Sequence, residues 1–352
     1  MRVYLDHNAT TPLRAEARAA MAAAMDLVGN PSSVHAEGRA AKGLMERARA
    51  QVAALVGCGT NQVIFTSGAT EAAALAAAQK ARHGGVFAAL RTEHDCLLSW
   101  ADEIAVPDAD KSALVAISAA NSETGLLAEN GLVPGNRAEQ AVVSDITQLA
   151  GKLPVRFGAV KPSYMILSAH KLGGPKGVGA LINFTTEDPA PLLTGGGQEM
   201  GRRSGTENLI GIAGFGAAAQ AGAADVAAGR WDEIAQFRNI LESALEAASN
   251  LPIFVGQRSG RLPNTSCILT PGWKGETQVM QMDLAGFAIS AGSACSSGKV
   301  RASTVLRALG YDEEEAASAI RVSLGLETTE EEVLRFADAW TRQLTKHAAR
   351  AA

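Results

Sequence analysis

Lys171 stands where an apolar run ends and a glycine-rich one begins, in Ser168-Ala169-His170-Lys171-Leu172-Gly173-Gly174-Pro175-Lys176-Gly177. Glycines let backbone approach a ligand closely. An amine held there can form a Schiff base with a carbonyl cofactor once burial or a neighbouring cation depresses its pKa. Taken alone, a loop lysine is more often a surface residue. A second feature shifts that balance: Ser144-Asp145-Ile146-Thr147-Gln148 puts a carboxylate at the end of another apolar run. Open α/β sheets bind ligands at such strand ends, and a buried carboxylate there needs a partner. The pyridinium nitrogen of pyridoxal phosphate is a cation of the right kind, and Asp145 beside it would keep the ring an electron sink.

Such a cofactor needs a phosphate cradle. Phe65-Thr66-Ser67-Gly68-Ala69-Thr70-Glu71 reads as a strand, a small-residue turn and a helix start, where backbone N–H groups and the Thr70 hydroxyl would meet an anion. The same letters also spell an ordinary capped helix entry. His94, in Glu93-His94-Asp95, is either a solvated or core histidine or a ring stacked on a cofactor. Cys295 lies in Ser290-Ala291-Gly292-Ser293-Ala294-Cys295-Ser296-Ser297-Gly298, with only Gly, Ala and Ser around it. The expectation is a mobile segment whose thiol can reach out to a substrate. Gly298-Lys299 is not the end of a P-loop, because Ser293 stands where the first glycine belongs and Val300 replaces the magnesium-binding hydroxyl.

Stepping outward, Val63 to Thr66, Leu114 to Ser118, Ala141 to Ser144 and Tyr164 to Leu167 read as short buried strands. Helical patterns over Ser32 to Val56 and Thr70 to Ala81 alternate with them, which predicts a mainly parallel sheet covered by helices. After Gly229 the pattern changes to a long amphipathic helix from Trp231 to about Ser249, strands near Ile253 and Cys267, and further helices. The expected organisation is a large domain over 12–228 and a smaller α+β domain over 229–352 that also takes in 1–11.

The 352 residues carry a net charge of −4 with no Lys/Arg run, so no electrostatic footprint for nucleic acid or an anionic membrane is present. The polar start, Met1-Arg2-Val3-Tyr4-Leu5-Asp6-His7-Asn8, lacks the apolar stretch of a signal peptide. The longest apolar run, Leu209 to Ala219, is shorter than the roughly 18 residues of a spanning helix. A cytoplasmic protein is expected. Its four cysteines, Cys58, Cys96, Cys267 and Cys295, contain no C-x-x-C pair, and neither a metal site nor a disulfide framework is expected.

Together and in this order, these motifs resemble the cysteine desulfurases of the class V aminotransferase superfamily. The resemblance also takes in Tyr4 to Pro12, Gly29-Asn30-Pro31-Ser32-Ser33, Gly195-Gly196-Gly197-Gln198-Glu199, Arg203-Ser204-Gly205-Thr206 and Ile320-Arg321-Val322-Ser323-Leu324. It implies an α/β, fold-type-I pyridoxal-phosphate transferase that takes sulfur from L-cysteine, releases alanine and holds the sulfur as a persulfide on Cys295. Lys171 is then the Schiff-base lysine, Asp145 the partner of the ring nitrogen, Gln148 a donor to the ring hydroxyl and His94 the stacked ring. Ala69, Thr70, Ser168 and His170 hold the phosphate, with Thr206 reaching in from the second subunit of a homodimer. Arg321 clamps the substrate carboxylate in the bidentate geometry of a guanidinium, and Asn30 joins it in the substrate site. Either Lys171 or His94 is the base that moves the α-proton.

The implied partner is a sulfur-acceptor protein, such as an iron-sulfur scaffold or a sulfur shuttle. A selenocysteine lyase or another small-substrate pyridoxal-phosphate enzyme would share most of these residues, although an aminotransferase has no need of Cys295. The chain departs from the family in two places. Asn121-Ser122-Glu123-Thr124-Gly125 has Ser122 where the family usually has an asparagine that touches the cofactor, so the shorter hydroxyl inherits that contact. The stretch from His94 to Asn121 is shorter than usual, which bears on a partner surface more than on the chemistry.

Overall fold

The structure, a computed structural model, describes residues 2–105, 111–137, 139–292 and 302–351. Along the chain run β1 (Val3–Tyr4), α1 (Ala15–Met25), α2 (Ala36–Val56), β2 (Val63–Thr66), α3 (Ala69–Ala77), β3 (Phe87–Ala89), α4 (Asp95–Leu98), β4 (Ala113–Ser118) and β5 (Gln140–Asp145). There follow β6 (Tyr164–Ser168), β7 (Gly179–Asn183), α5 (Leu209–Ala227), α6 (Arg230–Ala248), β8 (Ile253–Phe254), β9 (Thr265–Leu269), α7 (Gly275–Leu284) and β10 (Phe287–Ala288). The last elements are β11 (Ser290–Ala291), α8 (Thr304–Ala308), α9 (Glu313–Ala317), β12 (Ile320–Ser323) and α10 (Glu330–Ala351).

The chain divides into a larger unit, Thr11–Ala120 with Ala128–Ala228, and a smaller one, Met1–Thr10 with Asn121–Leu127 and Gly229–Ala352. The smaller unit therefore contains Asn121–Leu127, which the sequence reading assigned to the large domain. Backbone pairing is the reason: Leu127 donates to Gly260 O at 3.0 Å, and Leu262 donates to Gly125 O at 2.8 Å. Such strand-like tethers to distant chain are invisible in a local pattern.

The larger unit is built on a six-stranded sheet in the order β2-β7-β6-β5-β4-β3. Strands β3 to β6 are mutually parallel, and β7 runs antiparallel to both β6 and β2. The C-terminal ends of β2, β3, β4, β5 and β6 consequently share one edge. Runs such as Leu114-Val115-Ala116-Ile117 are apolar at every position because both faces of a parallel sheet are covered. Leu75, Ala76 and Leu97 of the helices pack with Ile64, Phe87, Val143 and Ile166 in one core cluster.

Helix α5 is long and apolar enough by length and composition to cross a bilayer, and longer than the run Leu209 to Ala219 suggests. Here it is a packed core helix. A Cβ on Gly216 would come within 2.6 Å of Ala48 Cα, and one on Gly214 within 2.7 Å of Met21, so glycine is what allows the helices to approach.

In the smaller unit β11, β12, β9 and β8 form an antiparallel sheet, and β1 pairs in parallel with β10. Its core includes Trp273 and Trp340, with ring centroids 5.4 Å apart, and the Trp340 indole N–H donates to Gln278 Oε1 at 3.0 Å.

Candidate active site

The sequence-predicted cofactor residues of the larger unit collect along its C-terminal sheet edge. Thr66 and Ser168 lie opposite the same residue, Gly179, and Ser118 lies opposite Asp145. A Cβ on Gly179 would stand 2.7 Å from Gly68 Cα, so two glycines bring the turn before α3 against the sheet. That turn ends in Gly68, which offers no side-chain cap to α3. The first-turn N–H groups of α3, at Ala69 and Thr70, are left for another acceptor. Ser168 Oγ lies 3.9 Å from where a Gly68 Cβ would be. Burial, with Lys171 and Lys176 adding to it, pulls His170 down to about 4, so its imidazole is neutral and donates a single N–H. Helix N-terminus, hydroxyls and neutral imidazole together fit a phosphate.

Glu71 completes this corner. It accepts from Ser67 N–H at 2.7 Å and from Arg203 Nε at 2.8 Å. Burial raises its pKa, but the bonds from Arg203 and Ser67 outweigh that and hold the carboxyl below its usual range. Thr206 is exposed and rims a cavity of about 160 Å³ with Thr66, Ser67, Gly177, Arg203 and Asn208. Asn30 is exposed too, and its Oδ1 accepts from Ser32 N–H at 2.9 Å within its own turn.

The turn that carries Lys171 is held by residues the sequence reading quoted only as matching letters or did not mention. Thr11 donates its N–H to His170 O at 2.9 Å and its hydroxyl to Lys171 O at 3.1 Å. Arg14 donates Nε to Leu172 O and its N–H to Gly173 O, both at 2.9 Å, while Asp225 pairs with its guanidinium. Four consecutive carbonyls of the lysine turn are thus bonded by a four-residue stretch near the chain start. Gly173, at φ +86°, takes the left-handed conformation there.

Asp145 ends β5 half-buried, and its Oδ1 accepts from Thr147 N–H at 2.8 Å. His94 is the exposed N-cap of α4, and its Nδ1 accepts from Cys96 N–H at 3.1 Å. A neutral ring held that way carries its proton on Nε2. Behind them Glu93 accepts from Ser118 N–H at 3.1 Å and from the Ser118 hydroxyl. Burial drives the Glu93 carboxyl up to about 7; Asp145 raises it further, and the bonds from Ser118 and the proximity of His94 oppose the rise. Gln148 lies buried with its Oε1 2.8 Å from Lys152 Nζ.

Ser122 and Arg321 belong to the smaller unit, where they meet. Arg321, 4% exposed, donates Nη1 to Ser122 O at 3.1 Å and Nη2 to Asp6 Oδ1 at 2.8 Å. Its Nε is buried without a partner among the described residues, an orphaned donor suited to an incoming carboxylate. Asn8 also donates to Ser122 O, at 3.3 Å. Asp6 went unrecognised as a positioning residue in the sequence, although it stands in the quoted run from Tyr4. Glu123 is buried and pushed up to about 7 by burial, with Ser303 and Arg321 opposing. Cys295 lies outside the described residues. Of the other cysteines, burial pushes Cys58 up to about 12 and Cys267 well above the ordinary thiol range, which keeps both as poor nucleophiles; Cys96 is buried.

The family model described as aminotransferase class-V matches residues 3–108 and 103–336. A cysteine desulfurase of Frankia sp. (strain EuIK1) is 39% identical over 98% of this chain and 91% of its own length. One from Cereibacter sphaeroides is 36% identical, over 95% of this chain and 94% of its own. Among solved structures, a NifS-like protein from Rickettsia africae ESF-5 superposes with a TM-score of 0.86 at 29% identity, covering 98% of this chain and all of that one.

Proposed function

The chain belongs to the class V aminotransferase family, in which it is a pyridoxal-phosphate-dependent cysteine desulfurase, and on that premise we propose how its own residues divide the work. The supporting observation is the shared sheet edge, where an amine, a carboxylate, an imidazole and an uncapped helix start stand at or after the ends of β6, β5, β3 and β2. When bound, pyridoxal phosphate supplies a carbonyl for the substrate amine and a ring that draws electrons from the substrate carbons.

Lys171 would hold the cofactor, and its amine, when free, would be the base that takes the substrate α-proton. The Nε2–H form of His94 supports that choice over the imidazole, because its Nδ1 is already engaged and its other nitrogen donates. Asp145 would pair with the ring nitrogen, Gln148 would donate to the ring hydroxyl, and Ala69, Thr70, Ser168 and His170 would receive the phosphate. Ser122 stands in for the family asparagine, and Arg321, with Asn30, receives the substrate carboxylate. The Cys295 thiolate attacks the substrate sulfur: an S–S bond forms as the C–S bond breaks, the electron pair left on the β-carbon takes up a proton, and Lys171 returns a proton to the α-carbon to give alanine. The high pKa values of Cys58 and Cys267 support Cys295 as acceptor.

The reading extends to a cytoplasmic homodimer, with Thr206 of each subunit completing the other's phosphate site, and to a protein acceptor for the persulfide. Mass spectrometry of enzyme treated with L-cysteine tests the core of it. One reductant-labile sulfur is expected on the peptide containing Cys295 and none on Cys58, Cys96 or Cys267. Normal alanine production by Cys295→Ser enzyme would overturn the assignment.

A further inference from the structure

Glu93 lies between β3 and α4, 5% exposed, and one residue meets both of its oxygens. Oε1 accepts from Ser118 N–H at 3.1 Å, and Oε2 meets the Ser118 hydroxyl. A serine hydroxyl can both donate and accept. Turned one way it donates to a carboxylate; turned the other it accepts from the O–H of a carboxylic acid, and the backbone N–H keeps its acceptor in either state. Ser118 therefore holds the Glu93 side chain in one place with or without its proton. Ser118 also ends β4 in register with Asp145 at the end of β5, and Ala119 N–H donates to Asp145 O at 2.8 Å. Residues paired across adjacent strands send their side chains to the same face, so the Glu93 carboxyl and Asp145 share a side of the sheet. Burial favours the acid form of Glu93 most; the Ser118 bonds oppose it, the charge of Asp145 adds to it, and His94 opposes it. Asp145 and His94 are the titratable groups that face Glu93 among the described residues.

We propose that Glu93 is a positioning residue that acts through Asp145: it places a second, titratable carboxyl behind the one that pairs with the ring nitrogen of pyridoxal phosphate, and its charge sets how firmly that nitrogen keeps its proton. The inference rests on the reading that Asp145 pairs with the ring nitrogen. When Glu93 is ionised, its negative charge adds to that of Asp145, and the ring proton is held to higher pH. When Glu93 is protonated, that contribution is lost. Coupling of this kind is reciprocal. A cationic ring beside Asp145 offsets the charge that Glu93 feels, so Glu93 gives up its proton at lower pH with the cofactor bound than without it.

The test is nitrogen NMR of full-length holoenzyme carrying pyridoxal phosphate isotope-labelled at the ring nitrogen, titrated without substrate, for wild type, Glu93→Gln, Ser118→Ala and Asp145→Asn. Glu93→Gln keeps the shape and the bonds to Ser118 but loses the charge, and it should lower the midpoint of the ring proton by roughly one pH unit, the scale of one partly screened charge nearby. Ser118→Ala removes the donor to the carboxylate, favours the acid form of Glu93 and should lower the midpoint by less. Asp145→Asn should lower it most. An unmoved midpoint in Asp145→Asn means that the reading of Asp145 fails, and the proposal with it. If Asp145→Asn moves the midpoint and Glu93→Gln does not, the role of Glu93 alone is overturned. Should Glu93→Gln not fold, infrared difference spectra of wild-type protein with isotope-labelled glutamate carboxyls decide. Slightly below pH 7, cofactor binding should replace a carboxylic-acid band with a carboxylate band, and Glu123→Gln protein should show the same exchange. A difference spectrum without that exchange, or one that Glu123→Gln abolishes, overturns the proposal.

Discussion

Arg321 Nη2 and Asp6 Oδ1 form an ion pair 2.8 Å long with little solvent on either partner, and the second Asp6 oxygen accepts the Ser290 hydroxyl at 2.8 Å. A guanidinium so placed is held in one orientation, with its Nε left over.

Asp6→Ala should therefore do two separable things. It should cost about 3 kcal/mol of stability, because a buried cation loses its counter-charge, and it should raise the KM for L-cysteine by loosening Arg321. Asp6→Asn retains an acceptor and should recover most of the KM with only part of the stability. Chemical denaturation and steady-state kinetics check the pair; an unchanged KM in Asp6→Ala would refute the positioning role.

Glu93 and Glu123 give stability a defined pH slope. Both carboxyls are raised to about 7 by burial, against 4.5 for an ordinary glutamate. Between those values the native chain holds protons that the unfolded chain has lost, so the stability present below pH 4.5 is lost as pH rises toward 7. Each site contributes on the order of 3 kcal/mol to that loss. Tm measured from pH 5 to 8 should fall for the wild type and flatten stepwise in Glu93→Gln and Glu123→Gln.

In its neutral form His94 should carry its proton on Nε2, because the Cys96 amide occupies Nδ1. Nitrogen NMR of histidine-labelled protein should show an acceptor-type Nδ1 and a protonated Nε2 for this residue. The opposite tautomer would restore His94 as a candidate base.

Arg49 and Glu199 form a two-bond pair at 2.8 and 2.7 Å, each side chain 2% exposed. Together they tie β2 to the segment before Thr206, since Arg49 also donates to Val63 O and Glu199 accepts from Phe65 N–H. Arg49→Ala should cost about 3–5 kcal/mol by stranding a buried carboxylate. Arg49→Met combined with Glu199→Gln should cost less than Arg49→Ala alone, as calorimetry can show.

Glu199 and Met200 adopt left-handed backbone, at φ 48° and 59°, and Met200 is exposed. Met200→Gly should stabilise the protein by about 1 kcal/mol, because it relieves that conformation at a site with few contacts. A lower Tm would show that the side chain is needed.

The four strands with continuous apolar runs were legible in the sequence, as was the chemistry waiting at their ends, because burial on both faces leaves a local signature. Lys171 and Asp145 follow such strands and could be singled out from position, whereas His94 follows β3, which the sequence reading did not pick out, and rested on the resemblance. β7 was missed: Gly179-Ala180-Leu181-Ile182-Asn183 begins with a glycine just after the glycine-rich run, which masks the strand. Thr11, Arg14, Asp6 and Glu93 were not found as positioning residues, since each acts through partners that no local pattern reveals. Arg14 and Asp225, for instance, are 211 positions apart. Helix starts shifted for a local reason. The helix expected from Ser32 begins at Ala36, after Asn30 and His35 cap the turns before it.

The discontinuous smaller unit also bears on how the chain is made. Residues 11–120 and 128–228 can close on themselves as soon as the last of them leaves the ribosome. The opening decapeptide cannot, because Val3 and Asp6 pair with Phe287 and Ser323. At roughly 10 residues per second the beginning of the protein waits on the order of 10 s longer for its partners. During that interval Leu5 and Val3, both destined for the interior, are exposed to chaperones and proteases. Slowing translation after residue 228 should lengthen this vulnerable period, whereas circular permutation that joins the two ends and opens the chain elsewhere should abolish it.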